Sequence, residues 1–95
     1  MAAYVIAHVR VEEPELYEDY RSQVLATIEA HGGRFLVRGG KAELLEGTRD
    51  PGRVVVLEFP SYEDAKAWYE SAEYAPAKAL RHKSSQSHMI LVEGI

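Results

Sequence analysis

The sequence predicts an α+β fold, a single antiparallel sheet carrying its helices on one face, and three observations predict it. Strand-like runs without internal Gly or Pro alternate with helical stretches in the order strand, helix, strand, strand, helix, strand. The helical stretches keep their apolar residues to one stripe. The strands, by contrast, are apolar on both faces, although a solvated face should alternate into polar residues.

Each element has a local reason. Tyr4 to Val11 is rich in β-branched residues, and Val5, Ala7, Val9 and Val11 alternate with Tyr4, Ile6, His8 and Arg10, which makes a first strand. Pro14 fits the first turn of a helix, with Glu12, Glu13 and Glu15 near the positive end of its dipole. Tyr17, Tyr20, Val24 and Ile28 then recur at three- and four-residue steps until Gly32 and Gly33 stop the helix near His31. Arg34 to Arg38 is a second strand, Gly39-Gly40 a turn, and Ala42 to Glu46 a third short strand, the pattern of a hairpin. Gly47 to Gly52 is a polar loop, and Arg53 to Phe59 is the strongest strand of the chain.

Pro60 closes that strand, and Ser61 with Asp64 starts a second helix carrying Ala65, Trp68 and Tyr69. Ser71 to Tyr74 breaks this helix, Pro76 opens a further helical piece to about Arg81, Lys83 to Ser87 is a polar connector, and His88 to Glu93 is the last strand. The order reduces to βαββαβ with the second helix in two pieces, the split βαβ arrangement of ferredoxin-like domains. With no third layer in so short a chain, a second copy of the same sheet is the economical cover for the bare apolar face.

Composition sets the outer bounds. The 95 residues, 46% hydrophobic and 27% charged, form one domain spanning residues 1–95. A chain of this size buries only somewhat above roughly 60% of its unfolded surface, so pairing would add useful stability. A net charge of −4, with eleven Lys and Arg residues spread along the chain, leaves no basic stripe for phosphates, so a nucleic-acid partner is not expected. No apolar run is long enough to cross a bilayer, and no signal core precedes the first strand, so no membrane role and a cytoplasmic location are expected. Absence of cysteine removes disulfides, thiolate metal sites and a cysteine nucleophile.

The residues that carry a resemblance are Tyr4-Val5-Ile6-Ala7, the run from His31 to Gly40, Leu45-Glu46-Gly47, Val56 to Ser61, Ala67-Trp68-Tyr69, Ser71, Glu73-Tyr74, Arg81 and Leu91 to Gly94. In this order, over nearly the whole chain, they resemble the domain-of-unknown-function 1330 family. Ala72 departs from the family pattern, where a proline is expected. The family is similar to the dimeric α/β-barrel superfamily. That resemblance implies two sheets paired face to face as a homodimer, with the enclosed space available to small molecules.

Pleat parity sorts the candidate site residues. With Val55, Leu57 and Phe59 toward the helices, Val54, Val56 and Glu58 face the other way, as do Tyr4, Ile6, His8 and Arg10, and Leu36 with Arg38. The last strand offers either His88, Ile90 and Val92 or Met89, Leu91 and Glu93. Arg38 is the leading candidate, a planar permanent cation suited to a carboxylate or enolate oxygen, or else a structural partner of Glu58. Glu58 left unpaired would be a general base. His8 and His31 are further acid or base candidates, with wall packing and a helix C-terminal role as their structural alternatives. Trp68, Tyr69 and Tyr74 could wall a ligand pocket or simply fill the core. His82 and His88 match no zinc spacing, and neither Gly-Gly pair completes a phosphate-binding motif, so no metal and no cofactor are expected.

Three functions stay open on these residues. One is a cofactor-independent enzyme using acid-base chemistry on a small carboxylated or oxygen-rich metabolite. The others are a ligand-binding or sensing protein without turnover, and a structural dimer with no ligand.

Overall fold

Alternation in the first strand becomes a division of the sheet into two faces. The computed structural model describes residues 1–95 and contains β1 (Ala3–Val11), α1 (Pro14–Glu29), β2 (Arg34–Arg38), β3 (Arg53–Phe59), α2 (Tyr62–Glu70), α3 (Ala75–Ser84) and β4 (Ser85–Glu93). The strands form one antiparallel sheet in the order β2-β3-β1-β4, with all helices on one side. This is the ferredoxin-like arrangement. Ala3, Val5, Ala7 and Val9 are buried beneath the helices and pair across with Phe59, Leu57, Val55 and Arg53. Tyr4, Ile6 and His8 pair with Glu58, Val56 and Val54 on the bare face.

The helix boundaries follow from their caps. Gly32 takes φ +77°, so the Gly33 N–H reaches the Ile28 carbonyl and the Gly32 N–H that of Glu29, a Schellman closure of α1. At the start of α2, the Ser61 Oγ accepts from the Asp64 N–H at 3.1 Å. Trp68 is fully buried in the core, its ring centroid 4.1 Å from that of Tyr74 and 5.4 Å from that of Phe59. Its indole N–H donates to Thr27 Oγ1 at 3.1 Å, tying α2 to α1.

Two expectations are corrected here. Ala42 to Glu46 is not a strand. Gly39 donates its N–H to Val54 instead, so β3 takes the place beside β2 and residues 40–52 form one long exposed loop. Lys83 to Ser87 is not a connector either. Basic residues suit the negative end of α3, and Ser85 Oγ caps it by donating to the Arg81 carbonyl at 2.7 Å, so β4 begins without a linker.

Candidate ligand cavity

A narrow apolar slot separates the sheet from α1. Val5, Ala7, Val9, Val55, Leu57, Phe35 and Met89 line it from the strands, and Tyr17, Tyr20, Val24 and Ile28 from the helix. The four remaining wall residues are all arginines, Arg21, Arg38, Arg53 and Arg81, and no carboxylate is among them. The slot has a cavity volume of about 30 Å³, room for little more than a single water molecule. Side chains therefore nearly close it.

Three of the four arginines, Arg38, Arg53 and Arg81, are held by neutral partners alone. The Arg38 guanidinium carbon lies 4.3 Å from the Phe35 ring centroid, and Nη2 donates to the Arg21 carbonyl at 3.1 Å. Arg53 lies against Gly39, in the space a Cβ would occupy, 5.7 Å from the Tyr17 ring centroid, and its Nη2 donates to the Arg38 carbonyl at 3.5 Å. Arg21 pairs with Glu18 at 3.2 Å on the surface. The Nε atoms of Arg21 and Arg53 are buried without any hydrogen-bond partner, and each such buried donor costs about 1–3 kcal/mol.

Arg81 is only 3% exposed and meets no carboxylate. Its Nε donates to Tyr74 Oη at 3.2 Å, Nη1 to Ser87 Oγ and Nη2 to His82 Nε2 at 3.3 Å. Burial, with Tyr74 alongside, pushes the Tyr20 hydroxyl far above the ordinary tyrosine range, so it stays protonated. Desolvation, followed by the charges of Arg81 and Lys78, pushes the His82 imidazole down.

Of the residues singled out from sequence, only Arg38 lines the slot, and it does so from the unexpected side. A β-bulge between Phe35 and Val37 inserts an extra residue, so that Phe35 pairs with Leu57 and Arg38 with Val55, both on the helix face. Arg38 therefore does not reach Glu58, which instead accepts from Arg34 Nε at 2.8 Å across the bare face. His8 is on that face as parity predicts, donating from Nδ1 to the Pro51 carbonyl at 3.0 Å, opposite His88. The last strand presents His88, Ile90 and Val92 on this face.

His31 sits at the end of α1, its Nδ1 donating to the Thr27 carbonyl at 3.1 Å and its Nε2 4.0 Å from Glu73. Trp68 and Tyr74 are fully buried core residues, and Tyr69 packs on the outside beneath Lys78, 4.2 Å from its ring. None of these three lines the slot.

Arg21, Arg53 and Arg81 are the wall residues that sequence reasoning missed, while Tyr17 and Tyr20 stand there only as packing residues of the α1 stripe. Arg53 was within reach, since it shares parity with Val55, Leu57 and Phe59. Arg21 follows Tyr17 by four on the α1 stripe, and Arg81 follows Ala77 by four on that of α3. Both could be read as stripe members, though not as neighbours.

Known structures share this architecture. RPA0582 of Rhodopseudomonas palustris, described as a protein of unknown function, is 19% identical with a TM-score of 0.79, covering 99% of this chain and 82% of that one. SnoaB of Streptomyces nogalater, described as a cofactor-independent oxygenase, is 14% identical with a TM-score of 0.67, covering 99% and 93%. A dimeric ferredoxin-like protein of unknown function from a Jannaschia species is 11% identical with a TM-score of 0.67, covering 99% and 100%. At these identities the likeness is one of fold. No curated protein matches the chain. No helix is long and apolar enough to cross a membrane. The model of the domain of unknown function DUF1330 matches residues 2–95, so the chain belongs to that family.

Proposed function

We propose that this protein binds a small apolar anion, a carboxylated or otherwise oxygen-rich metabolite, in the slot between its sheet and α1. One observation carries the reading: four arginines and no acid border an otherwise apolar cavity. Arg38, Arg53 and Arg81 have no carboxylate partner and Arg21 has only the exposed Glu18, so like charges oppose one another and donors stay unpaired. An anionic oxygen satisfies both deficits, and an apolar body seats between the strands and α1 once the side chains at the mouth swing outward to widen the slot of about 30 Å³. This reading puts a working space within one subunit, in addition to the space between paired sheets that the family resemblance implies.

Two subunits pair through the bare sheet face. Ile90 is 59% exposed and Val92 42%, beside Ile6, Val54 and Val56. An apolar patch of this kind marks an interaction surface, and one of the similar solved structures is described as dimeric. His8, His31 and Glu58 lie outside the slot, so acid-base chemistry on a ligand there falls to other groups. SnoaB supports the compatibility of this fold with small-molecule chemistry, by analogy alone.

Benzoate and its neutral isostere benzamide test the reading, followed by amide chemical shifts in the labelled protein. Benzoate should saturate with shifts at Tyr20, Arg21, Val55 and Arg53, bind more tightly than benzamide, and lose that advantage in Arg53→Met. Equal binding of the two, or shifts confined to other surfaces, would sink it. With a metabolite panel, recovery of the bound compound unchanged identifies a binding protein, and its conversion identifies an enzyme.

A further inference from the structure

We infer that Tyr20 is the hydrogen-bond donor the cavity presents to a ligand oxygen, polarised through Tyr74 by the buried Arg81. This rests on the cavity reading above and names the group that selects the ligand's acceptor atom.

Counting hydroxyl hydrogens leads there. Tyr20 Oη and Tyr74 Oη are 3.2 Å apart, so one hydrogen bond joins them and either could donate. Arg81 Nε can only donate, and it does so to Tyr74 Oη at 3.2 Å. Either direction leaves one hydroxyl hydrogen without an acceptor in the subunit; on Tyr74, 0% exposed and outside the slot, no ligand could relieve that deficit, whereas on Tyr20, which lines the slot, one can. Tyr74 therefore donates to Tyr20, whose own hydrogen remains free, and Tyr20 is the one of the pair that lines the slot.

The chain runs in one direction, from Arg81 through Tyr74 to Tyr20 and out to the ligand. Each bond in such a chain strengthens the next, and the cation at its head reinforces the polarity. Burial of Tyr20 keeps its hydroxyl protonated at any working pH. The wall at this point accepts a carboxylate, phenolate or enolate oxygen and rejects a group that can only donate. Tyr74 and Arg81 are positioning residues, and Tyr20 is the contact.

Two measurements decide the matter, each with benzoate as the probe. Tyr20→Phe should keep the wild-type spectrum elsewhere and bind benzoate about ten-fold more weakly, while Tyr74→Phe, which leaves Tyr20 its hydrogen but removes the polarising link, should lose a smaller factor. In ring-labelled wild-type protein the Tyr20 hydroxyl proton should move downfield and exchange more slowly as benzoate is added, which a purely packing role would not cause. Unaltered benzoate affinity in Tyr20→Phe alongside loss in Arg53→Met overturns this inference alone, as does a Tyr20 hydroxyl proton insensitive to benzoate. No saturable binding of benzoate by the wild type overturns the cavity reading with it.

Discussion

Arg38 stacks over Phe35, its guanidinium carbon 4.3 Å from the ring centroid, although three residues along a regular strand should put the two side chains on opposite faces. The bulge after Phe35 removes that opposition, since Phe35 and Arg38 pair with Leu57 and Val55, two residues apart on β3. One inserted residue thus moves a cation from the bare face to the mouth of the cavity.

Stability and binding should change in opposite directions at Arg53. Its Nε is buried without a partner and its charge faces other arginines across the slot. Arg53→Met should raise the stability of the free protein by about 1 kcal/mol, a melting-temperature gain of about 4–8 °C for a domain of this size. The same variant should bind benzoate more weakly. Calorimetric melting with and without benzoate checks both signs, and a fall in the free protein's melting temperature would show the guanidinium to be stabilising.

Gly39 is required for its φ of +72°, and its missing Cβ leaves the space that the Arg53 guanidinium occupies. Gly39→Ala should cost about 1–2 kcal/mol from backbone strain and swing the flexible Arg53 guanidinium out of the space it fills, at the loss of its bond to the Arg38 carbonyl. Made in an Arg53→Ala background, only the backbone part should remain. Urea titrations of the four proteins give the coupling, and strict additivity would show that the two residues do not interact.

Acid should weaken the fold through His82. Its pKa is held below the ordinary 6.5, so between that value and the lower folded one the unfolded chain binds the proton more readily. The contribution is fully present above pH 6.5 and is lost as the pH falls through the folded pKa. Denaturation of wild type and His82→Gln across pH 7.5 to 5 should show a shallower decline in the variant. Parallel curves would assign the acid sensitivity to other groups.

The proposed pairing through the bare face makes Ile90 a sensitive position. Its side chain is 59% exposed in the subunit, so Ile90→Lys should leave each subunit folded while placing a charge in an apolar contact. Light scattering should then give the mass of a dimer for the wild type and of one chain for the variant. A wild-type protein monomeric at micromolar concentration would remove the pairing from the account.

Most of the fold was readable because it rests on short-range chemistry. Pro14, the Gly32-Gly33 closure and the Ser61 cap mark helix ends through bonds made within a few residues. Alternation in β1 and β3 sorted Val5 and Leu57 from Ile6 and Val56 without reference to the rest of the chain. Glu58 and His8 were placed on the bare face for the same reason. Trp68 and Tyr74, read either as pocket wall or as core, are core, because Thr27 and Phe59 close around Trp68 and Tyr20 around Tyr74 from other elements of the chain.

By itself, the sequence determined the element order, the helix termini and the two-sided apolar character of the central strands, because propensity, capping and pleat period act over a few residues. Only tertiary structure decided where the charges meet. The bulge that turns Arg38 toward the helices depends on how β2 registers with β3, and the convergence of Arg21, Arg38, Arg53 and Arg81 on one slot depends on packing α1 and α3 over the sheet. Such contacts join residues far apart in the chain, and no local pattern encodes the distance between them.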